Sequence, residues 1–209
     1  MNLLSSLIKN KGKLLKFLPG QVLSEDNYLA GNVLLLKSGS ARLLYKKNGR
    51  LSTLKYLTPG SIIGAASILR GAPCEAVRAA EEISAWSISD QAFIDLIKTN
   101  AKVADECNSH LWDAELLALI QVFISQSPKN FSSADKWFAK LENIASLICI
   151  NNLNEIDTNT LKNKSFFIAS RIKEKNIGEE VLMNEFISTD YKFLKTRLIL
   201  LSSEKIKKI

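Results

Sequence analysis

Histidine is nearly missing from this chain: His110 is the single one among 209 residues. That scarcity excludes almost every multi-histidine metal site. Cysteine is scarce as well. Cys74, Cys107 and Cys149 are odd in number, far apart, and form no C-x-x-C pair. Free thiols in a reducing cytosol are expected from this, not a disulfide frame or a zinc site. Long apolar runs are also absent. The longest, from Leu116 to Ile124, is interrupted by Gln121 and is too short to span a bilayer, so a soluble chain is expected. The first twenty residues hold lysines but no unbroken apolar stretch and no small-residue cleavage site, so they do not read as a secretory signal. A cytoplasmic location follows as an expectation. No internal repeat, low-complexity tract or Walker A motif occurs.

What is present suits a folded protein. Hydrophobic residues make up 46% and charged residues 23%, enough apolar material for a core. The net charge of +7 is uneven: residues 1–18 carry four lysines and no acid, residues 101–157 sum to −4, and residues 158–209 to +5. A basic head and tail could favour nucleic acid or an anionic surface. No arginine cluster or interleaved aromatic strip accompanies them, so solubilising surface lysines are the simpler reading.

The first hundred residues read as strands and turns. Pro19-Gly20, Ser38-Gly39, Lys47-Asn48-Gly49 and Pro59-Gly60 punctuate short apolar runs at Gln21–Leu23, Val33–Lys37, Ser40–Lys46, Leu51–Leu57, Ala76–Ala80 and Ile83–Ile88. That spacing predicts an all-β roll or barrel. Ser89-Asp90 then offers a helix cap before Phe93, Leu96 and Ile97. From Ala101 to Ser125 there is neither Gly nor Pro, and Val103, Cys107, Leu111, Ala114, Ala118 and Val122 form a stripe. One long helix is predicted, able to cover the roll and pair with a twin helix in a homodimer. A break at Ser127–Asn130 precedes a second helix, Ala134 to Ile148, with Trp137, Leu141 and Ile144 on one face. The Asn-rich stretch from Asn151 to Asn163 reads as a loop, Ser165–Ser170 as a strand, and Phe193–Leu201 as strand or helix.

The ordered turns at Leu18-Pro19-Gly20, Lys37-Ser38-Gly39 and Pro59-Gly60, with Ile63-Gly64 after them, resemble those of the cyclic-nucleotide-binding domain family. The resemblance covers about residues 13–126 and implies an α+β fold. A double-stranded β-helix roll is followed by a long helix and a small mixed C-terminal subdomain, dividing the chain at 1–126 and 127–209. Residues Ala65 to Ala79 sit where the family has its phosphate-binding cassette. In nucleotide-binding members a Glu after the glycine holds the ribose, and an Arg near the end of the cassette holds the phosphate. Here Ala65 follows Gly64, and the Arg position falls on Cys74 or, in another alignment, on Pro73. Glu75 would bring a carboxylate near the phosphate; two like charges about 4 Å apart cost about 4 kcal/mol at an effective dielectric of about 20. Arg70 and Arg78 are the nearest cations, and both are expected to face solvent. The candidate site is therefore a degenerate cassette of Gly64, Ala65, Ala66, Ser67, Gly71, Pro73, Cys74 and Glu75, with no cyclic nucleotide and no cofactor expected.

Ser67-Ile68-Leu69-Arg70-Gly71 followed by Pro73-Cys74-Glu75 is also similar to the variant cassette at the N-terminus of some bacterial peptidase-containing ABC exporters. Ser165 to Leu201, including Arg197-Leu198, resembles the segment that follows it there. This resemblance implies a non-catalytic regulatory or interaction module whose protein partner is such an exporter. The alternative is a cAMP-receptor-type transcription regulator with a diverged DNA-binding C-terminus. Its two short helices and basic recognition helix are hard to find in residues 134–209, so nucleic acid is not expected as a partner. His110 near Cys107 reads as structural, and Asp105, Glu106, Asp113 and Glu115 as a solvated acidic face. Trp112 and Trp137 are expected to pack, and the pairs Glu81-Glu82 and Glu179-Glu180 to lie on the surface. No constellation suggests a catalytic residue or a metal.

Overall fold

A computed structural model describes residues 2–47, 49–127, 133–151, 163–173, 175–181 and 194–202. Asn48, the break at 128–130, most of the Asn-rich loop, and Glu185, Asp190 and Phe193 lie outside the described residues. The chain folds as two compact units, Met1–Cys107 and Asn108–Ile209.

The first unit opens with α1 (Asn2–Lys11), unassigned by the sequence reading. Leu4 and Ile8, one turn apart, are fully buried. The Glu106 carboxylate accepts from the N–H groups of Leu3 (3.0 Å) and Leu4 (3.1 Å) and so caps this helix. Burial works against that carboxylate's charge, but the Leu4 and Leu3 amides outweigh it and hold the group below its usual range. Glu106 is thus a cap and not part of a solvated acidic face.

Two four-stranded antiparallel sheets make the roll. One runs β1 (Lys13–Phe17), β8 (Ile83–Ser89), β3 (Asn32–Ser38), β6 (Ile62–Ile63); the other runs β2 (Val22–Ser24), β7 (Ala76–Ala79), β4 (Ala41–Lys47), β5 (Arg50–Leu57). Alternation sets the faces: in β8, Ile83 and Ala85 are buried while Ser84 and Trp86 are not. Between β6 and β7 lies one short helix, α2 (Ala65–Arg70). The Ser89 hydroxyl accepts from the Ala92 N–H at 3.2 Å and starts α3 (Asp90–Thr99), which buries Phe93, Leu96 and Ile97. The expected β-roll and its closing helix are present.

The expected continuous helix from 101 to 125 is two helices, α4 (Ala101–Asn108) and α5 (Asp113–Gln126). Asn108 and Ser109 are weak helix formers, and the Glu115 carboxylate accepts from the Trp112 N–H at 3.1 Å, which begins a new helix there. The compact units divide beside this break, whereas the sequence reading divided the chain at 126.

In the second unit, α5 and α6 (Ala134–Leu141) accompany a four-stranded antiparallel sheet. Its order is β11 (Glu180–Val181), β10 (Lys164–Ile168), β12 (Thr196–Ser202), β9 (Ser146–Ile150). The helix expected to run to Ile148 stops at Leu141, and Ile148 pairs with Leu198 in the sheet. β-Branched Ile148 and Ile150 suit a strand better than a helix end. The strand alternative for Phe193–Leu201 holds for Thr196 onward. Ile150, Phe166, Ile168, Leu198 and Leu200 form this unit's core.

Candidate functional site

The cassette is built around α2. Gly64, at its N-cap, has φ +90°, and a Cβ there would stand 2.5 Å from the Asn32 carbonyl oxygen, so only glycine fits. Gly71 closes the helix with φ +65°. Every residue of α2 is buried, including Ala65, Ala66, Ser67 and Arg70. Pro73 is half-buried, and Cys74 and Glu75, leading into β7, are buried.

Glu75, 4% exposed, turns its carboxylate onto the start of α2. One oxygen, Oε1, accepts from the Gly64 N–H at 3.0 Å. The other, Oε2, accepts from the Ser67 N–H at 3.2 Å and from the Ser67 hydroxyl at 3.1 Å. The Ser67 Oγ in turn accepts from the Cys74 N–H at 3.1 Å and lies 3.6 Å from the Cys74 sulfur. A carboxylate on the first amides of a helix is electrostatically favourable, because those N–H groups have no partner within the helix. Glu75 therefore satisfies the amides at the start of α2.

Arg70 is 3% exposed, which corrects the expectation that it faces solvent. Its guanidinium lies beside the Cys74 thiol. Burial pushes that thiol up to about 12 although Arg70 opposes the shift, so Cys74 is protonated and not nucleophilic at neutral pH. Arg78 is partly exposed and pairs with Glu25 at 3.0 Å. Gly64, Ala65, Ala66, Ser67, Gly71, Pro73, Cys74 and Glu75 run from the cap of α2 to the start of β7. The sequence reading missed the burial of Arg70 and the direction of Glu75. One signal was available: Glu75 stands in an otherwise apolar run, Cys74-Glu75-Ala76-Val77, where a carboxylate needs local donors.

A second buried charged group lies in the C-terminal unit. Glu115 and Arg197 are each 1% exposed, so Glu115 belongs to no solvated face. Arg197 Nε donates to Glu115 Oε1 at 2.5 Å and Nη2 to Oε2 at 2.8 Å; Nη2 also reaches the His110 carbonyl at 2.8 Å. Arg197 Nη1 stands 3.5 Å from Cys149 Sγ, and burial pushes that thiol up to about 11. The His110 ring packs edge-on against Trp112, 4.6 Å between centroids. These contacts join α5 to β12. Among the described residues no group of three or more His, Cys, Asp or Glu could hold a metal, and no helix is long and apolar enough to cross a membrane.

Residues 14–100 match the family model of the cyclic nucleotide-binding domain. No curated protein matches the sequence. Among solved structures, the chain is similar to the Thermus thermophilus catabolite activator protein, at 19% identity and TM-score 0.44, covering 63% of this chain and 59% of that one. It is similar to a Thermotoga maritima transcriptional regulator at 22% identity and TM-score 0.44, covering 63% and 96%. It also resembles a cAMP-binding acyltransferase from Mycobacterium smegmatis at 27% identity and TM-score 0.38, but spans only 32% of that chain. The family match and the sheet topology together identify residues 14–100 as a β-roll of the cyclic nucleotide-binding type.

Proposed function

We propose that this chain is a non-catalytic regulatory or interaction module whose cyclic nucleotide-type cassette is closed by its own Glu75. The observation that carries the reading is the Glu75 carboxylate on the Gly64 and Ser67 amides. A cyclic phosphate brought to the same amides would meet a fixed negative charge, without the ribose-holding Glu (Ala65) or the phosphate-holding Arg (Cys74 or Pro73). Expelling Glu75 would break its bonds from the Gly64 and Ser67 amides and the Ser67 hydroxyl, a loss that a small ligand would have to offset. The roll is then a scaffold filled by its own side chains.

The partner we propose is a protein, an ABC-type peptide exporter at the cytoplasmic face of the membrane; the variant cassette and the 165–201 segment support it. A regulator of the cAMP-receptor type would need a basic recognition helix after the roll. The described part of 163–202 supplies strands β10, β11 and β12 instead, which supports the interaction reading over the regulator.

Calorimetry tests the cassette. Titration with cAMP or cGMP should give no binding heat below millimolar nucleotide, and a micromolar Kd for either would defeat the reading.

A further inference from the structure

Among the described residues the roll has four edge strands, and three are blunted. β6 is two residues long and buried, β2 shifts register between Val22 and Ser24, and the β4–β5 pair carries a bulge at Leu43/Leu44. Such irregularities are the usual protection of a sheet edge. β1 differs. It pairs with β8 in unbroken register, Lys13 opposite Ser87 through Phe17 opposite Ile83, and stands at the end of its sheet. Lys13, Leu14, Leu15 and Lys16 are all exposed. Leu14 (43% exposed) and Leu15 (40%) project on opposite faces, so an added strand would find an apolar grip on each side.

Charge selects the occupant. Lys9, Lys11, Lys13 and Lys16 are exposed and residues 1–18 contain no acid. A second copy pairing antiparallel about Leu14–Leu15 would set Lys13 against Lys16 twice, and like charges directly opposite destabilise a strand pair. An extended segment with apolar residues flanked by carboxylates reverses that sign at both positions. We infer that β1 is a docking edge at which an acidic, apolar-centred peptide segment adds as a fifth strand. The site is separate from the cassette and does not depend on which protein supplies the segment.

The test uses the full chain and a labelled peptide, Thr-Glu-Ile-Val-Glu-Thr, followed by fluorescence anisotropy at low salt. The acidic peptide should bind saturably and about tenfold more tightly than its counterpart with lysines for glutamates, the effect of two cross-strand charge pairs. Methylating alternate backbone nitrogens of the peptide should abolish binding. Lys13→Glu/Lys16→Glu, both at exposed positions, should invert the charge preference. The inference is overturned if millimolar acidic peptide does not bind. Equal binding of the N-methylated peptide would overturn it too, by reducing the effect to charge alone. A doubling of chain mass abolished by Leu14→Asp/Leu15→Asp would overturn it in favour of a second copy.

Discussion

At Glu75 a single carboxylate satisfies two buried amides and a buried hydroxyl at once. Glu75→Ala should therefore destabilise the first unit by roughly 2–4 kcal/mol in urea unfolding, because those donors lose a charged acceptor. Glu75→Gln, which keeps one acceptor oxygen, should lose less; equal losses would mean that the retained acceptor contributes nothing and the stabilisation rests on the charge alone. Cys74 makes a pH-dependent prediction. Its thiol titrates near its ordinary value of 9.0 when unfolded and at about 12 when folded, so the folded state retains the proton longer. The resulting stability is fully present below pH 9 and falls as pH rises towards 12. Cys74→Ala should show a shallower alkaline decline than the parent chain, and parallel declines would contradict the burial. At this scale the sequence was informative about identity but not direction. Gly64 and Gly71 were readable from turn chemistry alone. Arg70, by contrast, reads as a polar residue at a helix end, and only the tertiary path from α2 into β7 puts it beside Cys74.

Among the elements, the strands of the roll were legible because Gly- and Pro-containing turns delimit short alternating runs, and Ser89 marked its helix by a side-chain cap. The misreadings came from a missing signal. No Gly or Pro marks the end of α4 at Asn108; the break rests on Glu115, whose carboxylate reaches back three residues to accept from the Trp112 N–H. Leu147 and Ile148 fit a helical stripe as well as a strand, and the register of β9 against β12 decides between them. The Arg197–Glu115 pair, 82 residues apart in sequence, had no local signature. It joins α5 to β12, so Arg197→Met should cost about 3–5 kcal/mol by leaving Glu115 buried and uncompensated. Glu115→Gln/Arg197→Met should cost less than the single change in denaturant titration. A double variant at least as unstable as Arg197→Met would show that the guanidinium acts through packing and not through the charge pair.

For the whole molecule, the stripe that suggested a twin-helix dimer is split between α4 and α5, and Val103, Cys107 and Ala114 are buried. Light scattering at tens of micromolar should give about one chain mass; twice that mass would restore the dimer by another surface. Duplex DNA should show at most weak association that disappears with salt, since the basic residues of 158–209 alternate with acids and screening limits their reach to about 8 Å at physiological ionic strength. A footprint on a promoter under those conditions would favour the regulator. Fold class was readable at this scale because turn spacing repeats along the chain, whereas the closed cassette depends on one side-chain direction. That direction can be observed through the amide protons of Gly64 and Ser67 in a nitrogen-15 labelled chain titrated with cAMP. Both amides should move on Glu75→Gln and stay in place through millimolar cAMP; saturable movement at micromolar nucleotide in the unaltered chain would contradict a cassette closed by its own carboxylate.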